Sequence, residues 1–167
     1  PSKSGLMIID QQAAHERVLF EKYTTRLKGN PGNSQQSLFP QTVTLSASDF
    51  ALIMEVEQEL ISLGFRFEIF GKNAVLVTGI PVGVEASEKE LFEGLLEQFK
   101  KNQSELQLPL RDNLAFALAK RSSVKSGQKL MTEEIQSIVE GLFACAKPNF
   151  SPDGSPTFFT FETSKIE

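Results

Sequence analysis

The stretch GNPGNSQQSLFPQ, residues 29–41, constrains the fold more than any other. Gly, Pro, Asn and Ser dominate it, and its apolar residues follow neither a helical nor a strand period. It reads as a linker and so divides the chain. What precedes it is one strand, residues 5–9, and one helix, residues 11–28, whose apolar stripe is Ala14, Val18 and Leu27 with Gly29 as C-cap. That is too little to bury a core. The end of the chain has the same shortage, with helices predicted at 112–125 (ended near Gly127) and 132–145 and a strand at 157–162. The two ends are therefore expected to pack together as one lobe, 1–34 with 108–167. The linker takes 35–41, and residues 42–107 form an inserted, outward-pointing lobe. A chain of 167 residues is long enough for this, as one domain or two small lobes.

The inserted segment reads as a β-α-β-β-α unit. Residues 42–45 suit a short strand. Ser46 is placed to cap a helix carrying Phe50, Ile53, Met54, Leu60 and Ile61, with Leu45 and Phe50 as a hydrophobic staple and Gly64 at its end. FRFEIF, residues 65–70, alternates apolar and polar as a half-buried strand does. GKN then turns into AVLVTGIP, which makes a hairpin. Ser87 opens a helix carrying Leu91, Leu95 and Phe99, and Thr132 with Glu133 and Glu134 opens the last one. The fold class is α/β in the α+β sense.

Composition excludes several functions. A net charge of −4 argues against a domain that grips a nucleic-acid backbone by itself. One cysteine, Cys145, precludes an internal disulfide, suits a reducing compartment, and is expected to be a small core residue. No apolar run approaches the roughly 20 residues a membrane span needs, and no signal sequence is seen. The abrupt start at Pro1 suggests a piece of a longer protein.

Chemistry-bearing residues gather where the first strand meets the first helix: Asp10, the amides Gln11 and Gln12, His15 (the single histidine), Glu16 and Glu21. Asp10 stands where an N-cap belongs. Met7, Ile8 and Ile9 before it read as a buried strand. The plain reading gives Glu16 with Arg17, and Glu21 with Lys22, to a solvated helix face, so that Glu16→Ala costs little stability. His15 is then a surface or half-buried residue, and no nucleophile motif supports an unrelated hydrolase built on it.

DQQAAHERVLFE resembles the helix-opening motif of the C-terminal domain of the MutL family of DNA mismatch-repair proteins, whose pattern is Asp-Gln-His-Ala, two residues, Glu, four residues, Glu. Asp10, Gln11, Ala13, Glu16 and Glu21 match, and Gln12 replaces the histidine. AKRSSVKSGQKL, residues 119–130, is similar to the family's Ala-Cys-Arg segment with its Lys-x-Gly, with Lys120 for the cysteine. SPDGSPTF, residues 151–158, is similar to Cys-Pro-His-x-Arg-Pro. Pro152, Gly154 and Pro156 match, while Ser151, Asp153 and Ser155 replace Cys, His and Arg.

In nuclease-competent members the resemblance implies a metal-binding endonuclease site of thiolates and imidazoles, which select zinc-like metals. Here those positions hold Gln12, Glu16, Lys120, Ser151 and Asp153, and only Glu16 is retained. The expectation is a domain with no metal, no cofactor and no enzymatic activity, in which Asp10, Glu16 and Glu21 are vestigial. The alternative is a nicking endonuclease with a site remodelled around Asp10, Glu16 and Asp153. The parent protein is expected to be an ATPase through a separate N-terminal domain.

The resemblance further implies a homodimer. Fourteen Phe, several in the last strand, exceed what a modest core needs and agree with an association surface. The family has a strand before the one at Met7, so residues 1–4 would be the tail of a hairpin turn. QQSLFP fits the family's sliding-clamp-binding pattern through Gln35, Leu38 and Pro40, and an overlapping frame uses Gln36, Leu38 and Phe39. Leucine and an aromatic ring can fill a pocket while the glutamine bonds its rim and Pro40 limits the entropy lost on ordering. Expected partners are thus a second copy, the DNA polymerase sliding clamp, the mismatch-recognition protein MutS through the full-length protein, and DNA only weakly, with no membrane. The expected setting is the bacterial cytoplasm, at the nucleoid during repair.

Overall fold

The computed structural model describes residues 5–162, in an α+β arrangement of six helices and two small antiparallel sheets. By internal packing the chain divides into two compact units, Pro1–Glu21 with Ser123–Glu167, and Lys22–Ser122. The predicted turn at residues 1–4 lies outside the described residues.

In the first unit, strand β1 (Gly5–Ile9) pairs antiparallel with β5 (Phe158–Glu162), which closes the two ends of the chain on each other. The sequence leads to the expectation that the two ends pack together, and the strand register itself is a finding of the structure. Helix α1 (Gln11–Leu27) begins in this unit and α6 (Thr132–Ala144) completes it. Ala14, Ile138 and Leu142 form the buried centre, with Ile9, Val18, Val124, Leu130 and Phe158 packed against it. The sheet contributes only one face to that core. Residues directly opposite each other share a face, so Ile9 and Phe158 point to the helices while Leu6 with Phe161, and Ile8 with Phe159, point the other way. Met7 is exposed as well, so the strand expected to be buried is only half-buried at Ile9 and exposed along the rest. The opening of α6 also differs. Met131 occupies the cap position with no side-chain bond, and Thr132 is the first helical residue.

In the second unit, β2 (Ser34–Thr44), β4 (Ala74–Pro81) and β3 (Arg66–Ile69) form a sheet in the order β2-β4-β3. The stretch read as a linker is thus largely strand, because its backbone groups pair with β4 whatever its composition. Helices α2 (Ala47–Glu55) and α3 (Glu57–Leu63) replace the single predicted helix, with the break at Val56. Ser46 and Ser87 cap as predicted, their hydroxyls accepting from Asp49 N at 3.1 Å and Glu90 N at 3.2 Å. Gly64 ends α3 at φ +116°, a conformation that a Cβ disfavours. The core joins Val43, Val75 and Val77 to Phe65 and Phe92, whose rings meet edge to face at 5.9 Å.

Helix α4 (Glu88–Glu105) packs in this unit against α5 (Leu110–Ser122). Residues 113–119 of α5 are all buried, as a helix apolar on all sides must be. Asn113 Nδ2 donates to Phe99 O at 3.2 Å, and Arg111 Nη1 donates to Leu27 O at 3.1 Å. These contacts group α5 and the end of α1 with the sheet, so the boundaries differ from those expected at residues 34 and 108. Helix α5 also ends at Ser122, ahead of the Gly127 turn.

Candidate functional site

The start of α1 is a hydrogen-bonded staple. Asp10 Oδ1 accepts from Gln12 N and Ala13 N, both at 3.0 Å, which is the predicted cap. Gln11 Nε2 donates to Lys125 O at 2.7 Å and Gln128 O at 2.8 Å. Gln12 Oε1 accepts from Ser126 N at 2.9 Å, and His15 Nδ1 accepts from Val124 N at 2.9 Å. Three side chains of one helix turn thus hold the loop that follows α5. A lone pair at Nδ1 is required for this, so His15 holds the loop with that nitrogen unprotonated.

Glu16 and Arg17 are buried, contrary to the solvated face expected of them. Gln12 Nε2 donates to Glu16 Oε1 at 3.2 Å, and Arg17 Nε donates to Phe150 O at 2.7 Å. Glu21 also has a structural task, its two carboxylate oxygens accepting from Ala146 N at 2.7 Å and Lys147 N at 3.2 Å. Single-sequence charge patterning could not find the roles of Arg17 and Glu21, because these backbone partners are more than a hundred residues away. Cys145 is the C-cap of α6 and half-buried, with Sγ donating to Gly141 O at 3.3 Å, so it is no core residue. Desolvation, with the nearby Glu21 carboxylate, raises its thiol pKa to about 11 despite the opposing Arg17.

The five positions aligned with a metal site do not fit a zinc-like ion. The Gln12 amide is committed at both ends, to Ser126 N and to Glu16. Ser151 Oγ donates to Asp153 Oδ1, which also accepts from Ser155 N at 3.1 Å, so this loop is closed on itself. Lys120 lies in α5 of the other unit, its ammonium 5.0 Å from the Phe116 ring centre. Among the described residues no three His, Cys, Asp or Glu side chains gather in a metal-binding group.

The QQSLFP segment lies on a bulge of β2. Gln36 pairs with Gly79 and Gln41 with Val77, so Ser37, Leu38, Phe39 and Pro40 stand opposite Thr78 alone. Three surplus residues force the chain outward. Leu38 is 89% and Phe39 83% exposed, the highest values among the large apolar residues described.

A second apolar surface is the outer face of the β1–β5 sheet. Leu6, Ile8, Phe159 and Phe161 are 43–51% exposed and adjacent by register. Elsewhere in the same unit, Met131, Ile135, Phe143 and Phe150 are exposed too.

Residues 1–130 match the family described as the MutL C terminal dimerisation domain. Among curated proteins, the DNA mismatch repair protein MutL of Chloroherpeton thalassium is 40% identical over 166 residues, covering 99% of this chain and 26% of that protein. The proteins of the same name from Flavobacterium psychrophilum and Chlorobium chlorochromatii are 38% and 37% identical, covering 100% and 99% of this chain and 27% and 26% of theirs. The chain spans about a quarter of the length of these relatives.

Proposed function

Because this chain belongs to the family of MutL C-terminal dimerisation domains, we propose that it joins two copies of a DNA mismatch-repair protein through the outer face of its β1–β5 sheet. The observation that carries this is the apolar quartet of Leu6, Ile8, Phe159 and Phe161. A two-stranded sheet is marginal alone, and covering its open face removes apolar surface from water. A two-fold axis lets the same patch serve both subunits. The double variant Ile8→Glu/Phe159→Glu tests it. Sedimentation or light scattering at micromolar concentration should show a dimer for the natural sequence and a folded monomer for the variant. A natural chain that is monomeric, or a variant that remains dimeric, refutes the interface.

The bulge at residues 37–40 supports a second role, docking to the polymerase sliding clamp. Gln35, Leu38, Phe39 and Pro40 supply a hydrogen-bonding amide, two apolar anchors and a stiff backbone on a raised segment. In this reading the domain carries no nuclease activity, and Asp10, Glu16 and Glu21 serve packing. The commitments of Gln12, Ser151 and Asp153 support that reading over the remodelled nuclease. Contact with MutS, ATP hydrolysis and DNA closure then belong to the rest of the protein, in the bacterial cytoplasm. No helix among the described residues is long and apolar enough to cross a membrane.

A further inference from the structure

The corner between α4 and α5 contains two buried amides that are each half used. Asn102 and Asn113 are 2% and 3% exposed. Asn102 Oδ1 accepts from Gln98 Nε2 at 2.9 Å, while Asn102 Nδ2 has no partner among the described residues. Asn113 Nδ2 donates to Phe99 O at 3.2 Å, while Asn113 Oδ1 has none. Turning either amide over does not help. Turning Asn113 over would put its oxygen against the Phe99 carbonyl, which fixes that amide. Turning Asn102 over requires Gln98 to turn with it, which only exchanges an orphan donor for an orphan acceptor.

The two orphans are complementary and close in the fold. One is a donor and the other an acceptor. Phe99, which anchors Asn113, lies three residues before Asn102 on α4 and so on the same side of that helix. The backbone here is otherwise closed, since Leu106 N donates to Asn102 O at 2.7 Å and Asn113 N to Pro109 O at 2.9 Å. A buried donor or acceptor left unmade is costly, and such groups are as a rule satisfied by protein or by ordered water.

We propose that the α4–α5 corner is a binding site for one internal water molecule, which accepts a hydrogen bond from Asn102 Nδ2 and donates one to Asn113 Oδ1. The polar walls distinguish this place from the apolar hollow nearby among Leu52, Ile53, Val56, Leu60 and Leu95, where a water would find no partner. The water ties the last turn of α4 to the first turn of α5 and makes both asparagines part of one closed network. Replacing either residue by an apolar one breaks the network from one side.

The test is hydration of the intact chain. A crystal structure at about 1.5 Å should place a water at hydrogen-bond distance, roughly 2.7–3.2 Å, from both atoms. In solution, the Asn102 side-chain amide protons should show a cross-peak to a long-lived water, and Asn113→Leu should abolish it. A dry corner, a direct bond between the two amides, or a cross-peak unchanged in Asn113→Leu overturns the proposal. Should that variant not fold, the crystal structure and solution spectrum of the natural chain decide alone.

Discussion

Replacing Leu38 and Phe39 together by alanine separates binding from folding more cleanly than any other change in this chain. Both side chains stand on the β2 bulge at 89% and 83% exposure, so truncating them removes almost no packing from the free protein. Stability should stay within about 0.5 kcal/mol of the natural chain, the usual range for surface changes. Docking is a different matter. Fully burying a leucine or phenylalanine side chain contributes about 1.5–3 kcal/mol. Losing both removes about 3–6 kcal/mol, and a factor of ten in affinity corresponds to about 1.4 kcal/mol. The dissociation constant for the sliding clamp should therefore rise by about a hundredfold to ten-thousandfold. Titration calorimetry against the purified clamp, beside a thermal melt of the variant, measures both quantities. An affinity changed less than about threefold would remove this segment from the binding site. A melting point lowered by many degrees would show instead that the bulge is packed, and that the exposure argument fails.

Three further outcomes follow from the α1 network and its surroundings. Glu16→Ala should destabilise the fold by about 1–3 kcal/mol, because it strips the Gln12 amide of a buried acceptor, and denaturant unfolding measures it; an unchanged midpoint would return Glu16 to the solvated face. Cys145 should alkylate slowly. Raising its pKa from the ordinary 9.0 to about 11 leaves about a hundredfold less thiolate at pH 8, so the rate should climb about tenfold per pH unit up to that pKa. Glu21→Gln should accelerate the reaction by removing a neighbouring negative charge; a rate already flat above pH 9 would contradict this. Purified protein should carry no stoichiometric zinc and should not nick supercoiled DNA with manganese. About one zinc per chain, or nicking that Glu16→Ala abolishes, would establish the remodelled site in its place.

What could be read in the sequence was whatever depends on near neighbours. Ser46, Ser87 and Asp10 cap helices through amides two or three positions away, and Gly64 ends a helix through its own backbone freedom. Strand alternation located the β3–β4 hairpin, and the shortage of core at each chain end led only to the expectation that the ends pack together, without the β1–β5 register. The ordered triplet of segments carried the family. Composition misled at residues 34–41, because a strand held by β4 needs no apolar period of its own when both its faces are largely wet.

The rest was decided by groups distant in the chain. Glu16, Arg17 and Glu21 sit at helical spacings that suit a charged surface, and only the arrival of residues 146–150 turns Arg17 and Glu21 into ligands of backbone groups. Gln11, Gln12 and His15 look like the beginning of a reactive site until the 124–128 loop is laid against them. The sequence determines which atoms can donate, accept or avoid water. Only the tertiary structure determines which of them meet, because a hydrogen bond or a buried charge depends on where its partner stands and not on how far away it lies along the chain.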